Sequence, residues 1–212
     1  MPKKKVINKN EQQVKFAVII MAVLIVAFLA SYFGFRMLLD SMHKFEYKNI
    51  EFRSDSIGYW AIIPITDMYG NVADSVKVRF WEDPRKLERI KIEDKISLTK
   101  ATAVDLETLF EQGDCMDATQ AGQTILLYLS NANLFGISPL QVVSEKKLAE
   151  RLNLSYFDCT NSSKLTGIVL KKGSESKITK QGSCYILEAG NGCEIMNVTE
   201  RFMLQAFNDA RV

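Results

Sequence analysis

The sequence predicts an α/β domain, with α+β as the close variant, following one N-terminal transmembrane helix. Three observations lead there. Phe16–Phe35 reads FAVIIMAVLIVAFLASYFGF and carries no charge. The second half alternates strand-like apolar runs with amphipathic stretches, the pattern of a partly parallel sheet. Residues 51–212 are long enough for one domain with its own core, and no linker, repeat or low-complexity stretch divides them. The expected architecture is therefore a helix and then one small α/β sandwich with a mixed sheet.

The apolar segment decides the topology. Twenty helical residues rise about 30 Å, the thickness of a hydrocarbon core. Tyr32, Phe33 and Phe35 fall at its far end, where aromatic rings sit at headgroup level. A cleaved signal peptide is the rival reading. Its apolar region is usually about 7–15 residues, and bulky Phe28 spoils a small-x-small site at Ala30. An uncleaved anchor fits better. Lys3, Lys4, Lys5, Lys9 and Lys15 precede the segment against Glu11 alone, whereas Arg36 and Lys44 after it are offset by Asp40 and Glu46. The Lys/Arg excess stays cytoplasmic. Residues 1–15 are thus read as a cytoplasmic tail, 16–35 as the span, 36–50 as a stalk and 51–212 as an extracytoplasmic domain of a single-pass cell-membrane protein.

That division changes the meaning of the net charge. The whole chain sums to +2, but the tail's five lysines and one glutamate supply four positive charges, leaving about −2 for the rest. A nucleic-acid binder carries its basic excess on the folded domain. No nucleic-acid partner is expected.

All four cysteines, Cys115, Cys159, Cys184 and Cys193, fall in the part read as outside. An even count in an oxidising compartment favours disulfides. Four cysteines allow three pairings that sequence cannot separate; nearness along the chain favours Cys184 with Cys193, leaving Cys115 with Cys159. Asn153, Asn161 and Asn197 begin Asn-x-Ser/Thr sequons, acceptor sites consistent with an outside location.

Within the domain, Tyr59–Thr66 and Val76–Trp81 read as strands joined by turn chemistry over Asp67–Asp74. Asp83-Pro84 breaks the chain before a short helical turn at Arg85–Ile90, and Lys95–Val104 reads as another strand. Asp117 and Gln120 have capping-box spacing and open a helix to about Asn131, with Ala118, Ala121, Ile125 and Leu129 on one face. Ile137–Val143, Thr166–Leu170 and Cys184–Glu188 are expected strands. EKKLAERLN forms a short helix, and a final helix from near Asn197 or Thr199 buries Phe202, Met203, Ala206 and Phe207. The strands of the first half, with no helix between them, point to an antiparallel extension.

Catalytic chemistry finds few candidates. The single histidine, His43, stands beside the membrane segment, so Ser–His–Asp and Cys–His catalysis lack their imidazole base. No Cys-x-x-Cys pair occurs, so neither a zinc ribbon nor a thioredoxin-type motif is present, and no metal is indicated. The dispersed glycines form neither phosphate-cradling motif, so no nucleotide and no cofactor is expected. Glu111, Asp114 and Asp117 cluster where a loop enters a helix, which suits acid–base work or a hard cation, although capping and solvation explain them as well. Arg85 leads the densest basic stretch, Arg85 to Lys91, which suits an acidic partner or glycan, or a solvated turn. Trp60, Trp81, Tyr59 and Phe80 suit either a binding groove or a core.

The pieces Asp83-Pro84-Arg85, Asp114-Cys115, Asp158-Cys159, Gly182-Ser183-Cys184-Tyr185, Cys193-Glu194 and Thr199-Glu200-Arg201-Phe202 carry a resemblance. They cover most of the presumed ectodomain, which resembles membrane-anchored proteins of small-genome archaea with no assigned activity. The resemblance implies an anchored architecture and paired cysteines, and nothing about chemistry. Ala189–Gly192 is longer here than in that group.

The functional expectation is an anchored, non-catalytic module that binds a protein or cell-envelope component, with the bilayer as its other partner. The alternative is an anchored hydrolase using carboxylates or a Ser–Lys pair.

Overall fold

The structure, a computed structural model, describes residues 9–66, 71–105, 116–131, 135–160, 165–190 and 194–210. It comprises two compact units, Met1–Lys44 and Phe45–Val212. The first holds helix α1 (Lys9–Met42). Within α1, Val14–Leu38 is long and apolar enough to cross a membrane, and none of it is buried. A helix with apolar residues on every side has no polar face to turn to water, so it needs lipid or protein around it.

The second unit is a mixed α/β domain. Its first sheet contains β1 (Lys44–Tyr47), β2 (Ile50–Asp55), β3 (Gly58–Thr66) and β4 (Val72–Phe80), in that spatial order. The β2–β3 and β3–β4 pairs are antiparallel. The second sheet has seven strands: β5 (Lys91–Ile92), β6 (Ala101–Asp105), β7 (Ser138–Val143), β8 (Ser155–Tyr156), β9 (Thr166–Lys172), β10 (Lys177–Gln181) and β11 (Cys184–Ala189). Their order is β5-β10-β11-β9-β6-β7-β8. All neighbours are parallel except β10 and β11. Helices α2 (Met116–Ser130), α3 (Lys146–Leu152) and α4 (Ile195–Asp209), with a 3-10 turn at Lys86–Arg89, complete the domain.

One core joins the layers. Phe52, Ala61, Ile63, Val78 and Phe80 from the first sheet share it with Ile125 and Leu129 of α2, Phe202 and Met203 of α4, and Ile168, Leu170 and Leu187 of the second sheet. Helix α4 is buried on almost every side, including Glu200 and Arg201, because it has sheet neighbours on both flanks. A smaller cluster on the far face of the seven-stranded sheet gathers Ala103, Val142, Phe157, Cys184 and Ile186.

The mixed α/β architecture agrees with the sequence reading, and four details correct it. The presumed stalk, 36–50, is the end of α1 followed by a β1–β2 hairpin. Phe45 and Tyr47 alternate inward against Phe52, and Lys48 and Asn49 turn the chain at φ 51° and 58°. The antiparallel strands form a sheet of their own instead of extending the mixed one. Only Ala101–Asp105 of the 95–104 stretch is a strand. Before it, the N–H groups of Ile96 and Ser97 donate to the Asp209 carboxylate and the Tyr185 hydroxyl instead of to a ladder.

The last correction concerns the cysteines. Cys159 is bonded to Cys184, with 5.6 Å between Cα atoms. Cys184 opens β11 and points to the face where Phe157 lies. Six strand residues then carry the chain about 17 Å away from it, which defeats the argument from nearness to Cys193. Gly167 lies opposite Cys184 and makes room for the bridge, since a Cβ there would stand 2.3 Å from the Cys184 Sγ. Cys115 and Cys193 lie outside the described residues.

Candidate functional site

At one end of the four-stranded sheet the chain assembles an exposed cluster from three strands. The β2–β3 connection is only Ser56-Ile57, because Asp55 pairs with Gly58. Gly58 is required there. Its φ is +144°, and a Cβ would stand 2.6 Å from the Phe80 carbonyl oxygen. The tight tip leaves Ile57 54% exposed.

Arg53, Trp60 and Arg79 lie opposite one another across β2, β3 and β4, so they share the outer face. The strand period of two explains the division of the aromatic residues: Tyr59 and Phe80 point to the core side, Trp60 and Arg79 away from it. The Arg79 guanidinium stacks 3.8 Å from the Trp81 ring centre and 5.8 Å from that of Trp60. Its Nη2 donates to the Ile57 carbonyl at 2.6 Å. Trp81 is 47% exposed. Trp60 Nε1 donates to Asp55 at 2.6 Å, while the other Asp55 oxygen accepts the Ile57 N–H at 2.8 Å. The Ile57 N–H, and then the Trp60 indole, hold the Asp55 carboxyl below the usual carboxylate range. Trp60, Arg79 and Trp81 are of the side-chain types enriched in binding hot spots; Trp60 and Arg79 are half-buried, and Trp81 and the neighbouring Ile57 are exposed.

Arg85 stands nearby but is already engaged. It clamps Asp83 through Nε and Nη2 and stacks 4.3 Å over the Phe45 ring. Arg85 in turn holds the Asp83 carboxyl below its ordinary pKa. Lys86 is likewise bonded to Glu82, and Arg53 to Glu51. The basic stretch is therefore charge-compensated on the protein itself.

A second arrangement lies where strand order reverses in the seven-stranded sheet. β7 and β8 extend to one side of β6 and β9 lies on the other, and open α/β sheets place ligands at the carboxyl edge of such a point. There Asp105, buried at the end of β6, accepts the Ser144 hydroxyl at 2.6 Å from the end of β7. The connection holding Glu111 and Asp114 leaves from this edge but lies outside the described residues. Asp117 is the second residue of α2, inside its first turn, with its side chain not described. Among the described residues, no group of three His, Cys, Asp or Glu side chains could hold a metal ion.

Of the sequons, Asn153 is exposed at the left-handed cap of α3, Asn161 lies outside the described residues, and Asn197 falls within α4. Thr199, the hydroxyl member of the Asn197 sequon, is fully buried.

Sequence reasoning missed Ile57, Arg79 and Asp105. For Arg79 a signal existed in VKVRFW, where alternation sets Lys77 and Arg79 on the face opposite Val78 and Phe80. Comparison with protein-family models, curated proteins and solved structures finds no match for this chain.

Proposed function

We propose that this protein is a single-pass membrane-anchored module whose N-terminus is cytoplasmic and whose folded domain, outside, binds a protein or cell-envelope component. The observation that carries the binding part is the Ile57–Trp60–Arg79–Trp81 cluster. Half-buried Trp60 and Arg79 are held by hydrogen bonds and support the exposed Ile57 and Trp81, so little ordering entropy is lost on contact. The anchor is supported by the apolar Val14–Leu38 stretch and its Lys-rich N-terminal flank. A signal sequence meets the same description of length and composition; the length of the apolar run favours retention. The Cys159–Cys184 bond supports the outside placement, since structural disulfides persist in oxidising compartments.

Site-specific photo-crosslinking tests the binding part. A photoreactive residue at Ile57 should capture one discrete component in native membranes. The same residue at Leu127, 67% exposed on α2, should not. Equal, diffuse capture from both positions would contradict the assignment.

The Asp105–Ser144 pair favours a second reading, an anchored hydrolase, because it occupies the edge where α/β enzymes keep their chemistry. The pair offers a carboxylate and no imidazole to deprotonate the alcohol, so it serves this reading poorly as a nucleophile and its base. Covalent labelling of Ser144 by a serine-directed phosphonate, abolished in Ser144→Ala, would establish the hydrolase reading over the binding one.

A further inference from the structure

We propose that Asn153 carries a covalent glycan, attached at its carboxamide nitrogen and lying over the open hollow between α3 and β8. The proposal rests on the outside placement argued above and adds a modification site to it.

The local backbone sets this acceptor apart. Asn153 ends α3 in the left-handed region, at φ 54° and ψ 40°, which Asn tolerates better than most residues bearing a side chain. That role uses the main chain alone, since the Asn153 N–H donates to the carbonyls of Ala149 and Glu150. Among the described residues no hydrogen bond engages its carboxamide. Leu154 packs against the core, whereas Asn153 and Ser155 on either side of it are exposed. Ser155, the hydroxyl member of the sequon, opens β8, which lies last in the sheet order and pairs with β7. Carboxamide and hydroxyl are thus both within an enzyme's reach at the rim of the sheet.

There is also room for a sugar. Lys146, Ala149, Glu150, Asn153, Leu154 and Tyr156 line an open hollow of about 330 Å³. Lys146 and Glu150 are exposed, and Tyr156 is 45% exposed with the Lys146 ammonium 5.3 Å from its ring centre. They offer donors and acceptors to sugar hydroxyls and part of an apolar ring to sugar C–H groups. A glycan attached here displaces nothing from the core.

The chemistry is a group transfer from outside the protein. The donor is a lipid-phosphate-linked glycan, and a membrane transferase is the catalyst. C1 of the first sugar bonds to the Asn153 nitrogen while its bond to the phosphate oxygen breaks. The nitrogen gives up one proton, and the lipid phosphate leaves with the bonding pair. Neither partner is oxidised or reduced.

Asn197 has the same sequence pattern and fails on geometry. It lies within α4, and its hydroxyl partner Thr199 is fully buried. Modification there requires the central helix to leave the core. The fold therefore separates two sequons that sequence treats alike.

The test uses the full chain recovered from its native membranes, reduced and digested with trypsin and chymotrypsin. Cleavage after Tyr156 or Phe157 separates Asn153 from Asn161. Mass spectrometry should find a hexose- or hexosamine-containing increment on the Asn153 peptide and none on the Asn197 peptide. Asn153→Gln and Ser155→Ala should each abolish the increment, and Ser155→Thr should retain it. Ser155→Ala keeps Asn153 and its left-handed cap, so loss in that variant reports the sequon and not the fold. Bare Asn153 in a chain whose Lys172→Cys labels in intact cells would overturn the glycan while the outside placement stands. Bare Asn153 with Lys172→Cys protected would remove both together. A glycan on Asn197 instead, or an increment on Asn153 that survives Ser155→Ala, would also overturn the proposal.

Discussion

Glu200 of α4 accepts the backbone N–H groups of Trp81 at 2.5 Å and of Glu82 at 3.1 Å, tying the exit of β4 to the central helix. Burial raises this carboxyl to about 7, although the two N–H donors pull the other way. The folded state then holds a proton that the unfolded chain releases above about 4.5. Its contribution to stability is complete below that pH and is lost as pH rises through 7. A displacement of this size corresponds to roughly 3 kcal/mol. Urea midpoints taken from pH 5 to 8 should therefore decline for wild type and stay flatter for Glu200→Gln. Parallel slopes would contradict a buried, proton-binding Glu200.

The Cys159–Cys184 bond spans 25 residues, and in the chain-entropy model a loop of that length contributes about 3.5 kcal/mol. Cys159→Ala with Cys184→Ala should lower stability by that order. Peptide mapping without reduction should recover this linkage. Recovery of Cys184 joined to Cys193 would show that the strand register around Gly167 is wrong.

Gly58 should tolerate no side chain. In Gly58→Ala the positive φ and the 2.6 Å approach to the Phe80 carbonyl both oppose the new Cβ, and we expect a loss of about 1–3 kcal/mol. The change should also loosen Ile57 and Trp81, visible as faster hydrogen exchange at the Ile57 amide. A neutral Gly58→Ala would mean that the hairpin tip is not built as described.

Much of this fold was legible where one residue type dominates a run. YWAIIPIT, TGIVL and CYILE are strands in the structure, and the expected burial of Phe202, Met203, Ala206 and Phe207 in the last helix holds. Lys44–Asp55 was hidden by its charges and its place beside the apolar segment, although Phe45 and Tyr47 before Lys48-Asn49, and Ile50 and Phe52 after, mark a hairpin. β10 has a single buried residue, Ile178, because it lies near the sheet's edge. The cysteine pairing was illegible in principle, since it depends on which strands neighbour Cys184 and on the gap left by Gly167. The candidate cluster was half visible. Trp60 and Trp81 were noticed, but Ile57 matters only because a two-residue turn carries it to the place where Arg79 and Trp81 lie.

The side of the membrane that the domain occupies decides which partners its surface can meet. Cysteine introduced at Lys172 and, separately, at Lys5 can be challenged in intact cells with a membrane-impermeant maleimide. Lys172→Cys, at the exposed end of β9, should label before lysis, and Lys5→Cys only after it. Labelling of Lys5→Cys in intact cells with Lys172→Cys protected would reverse the orientation, and with it the outside placement and the binding module built on it.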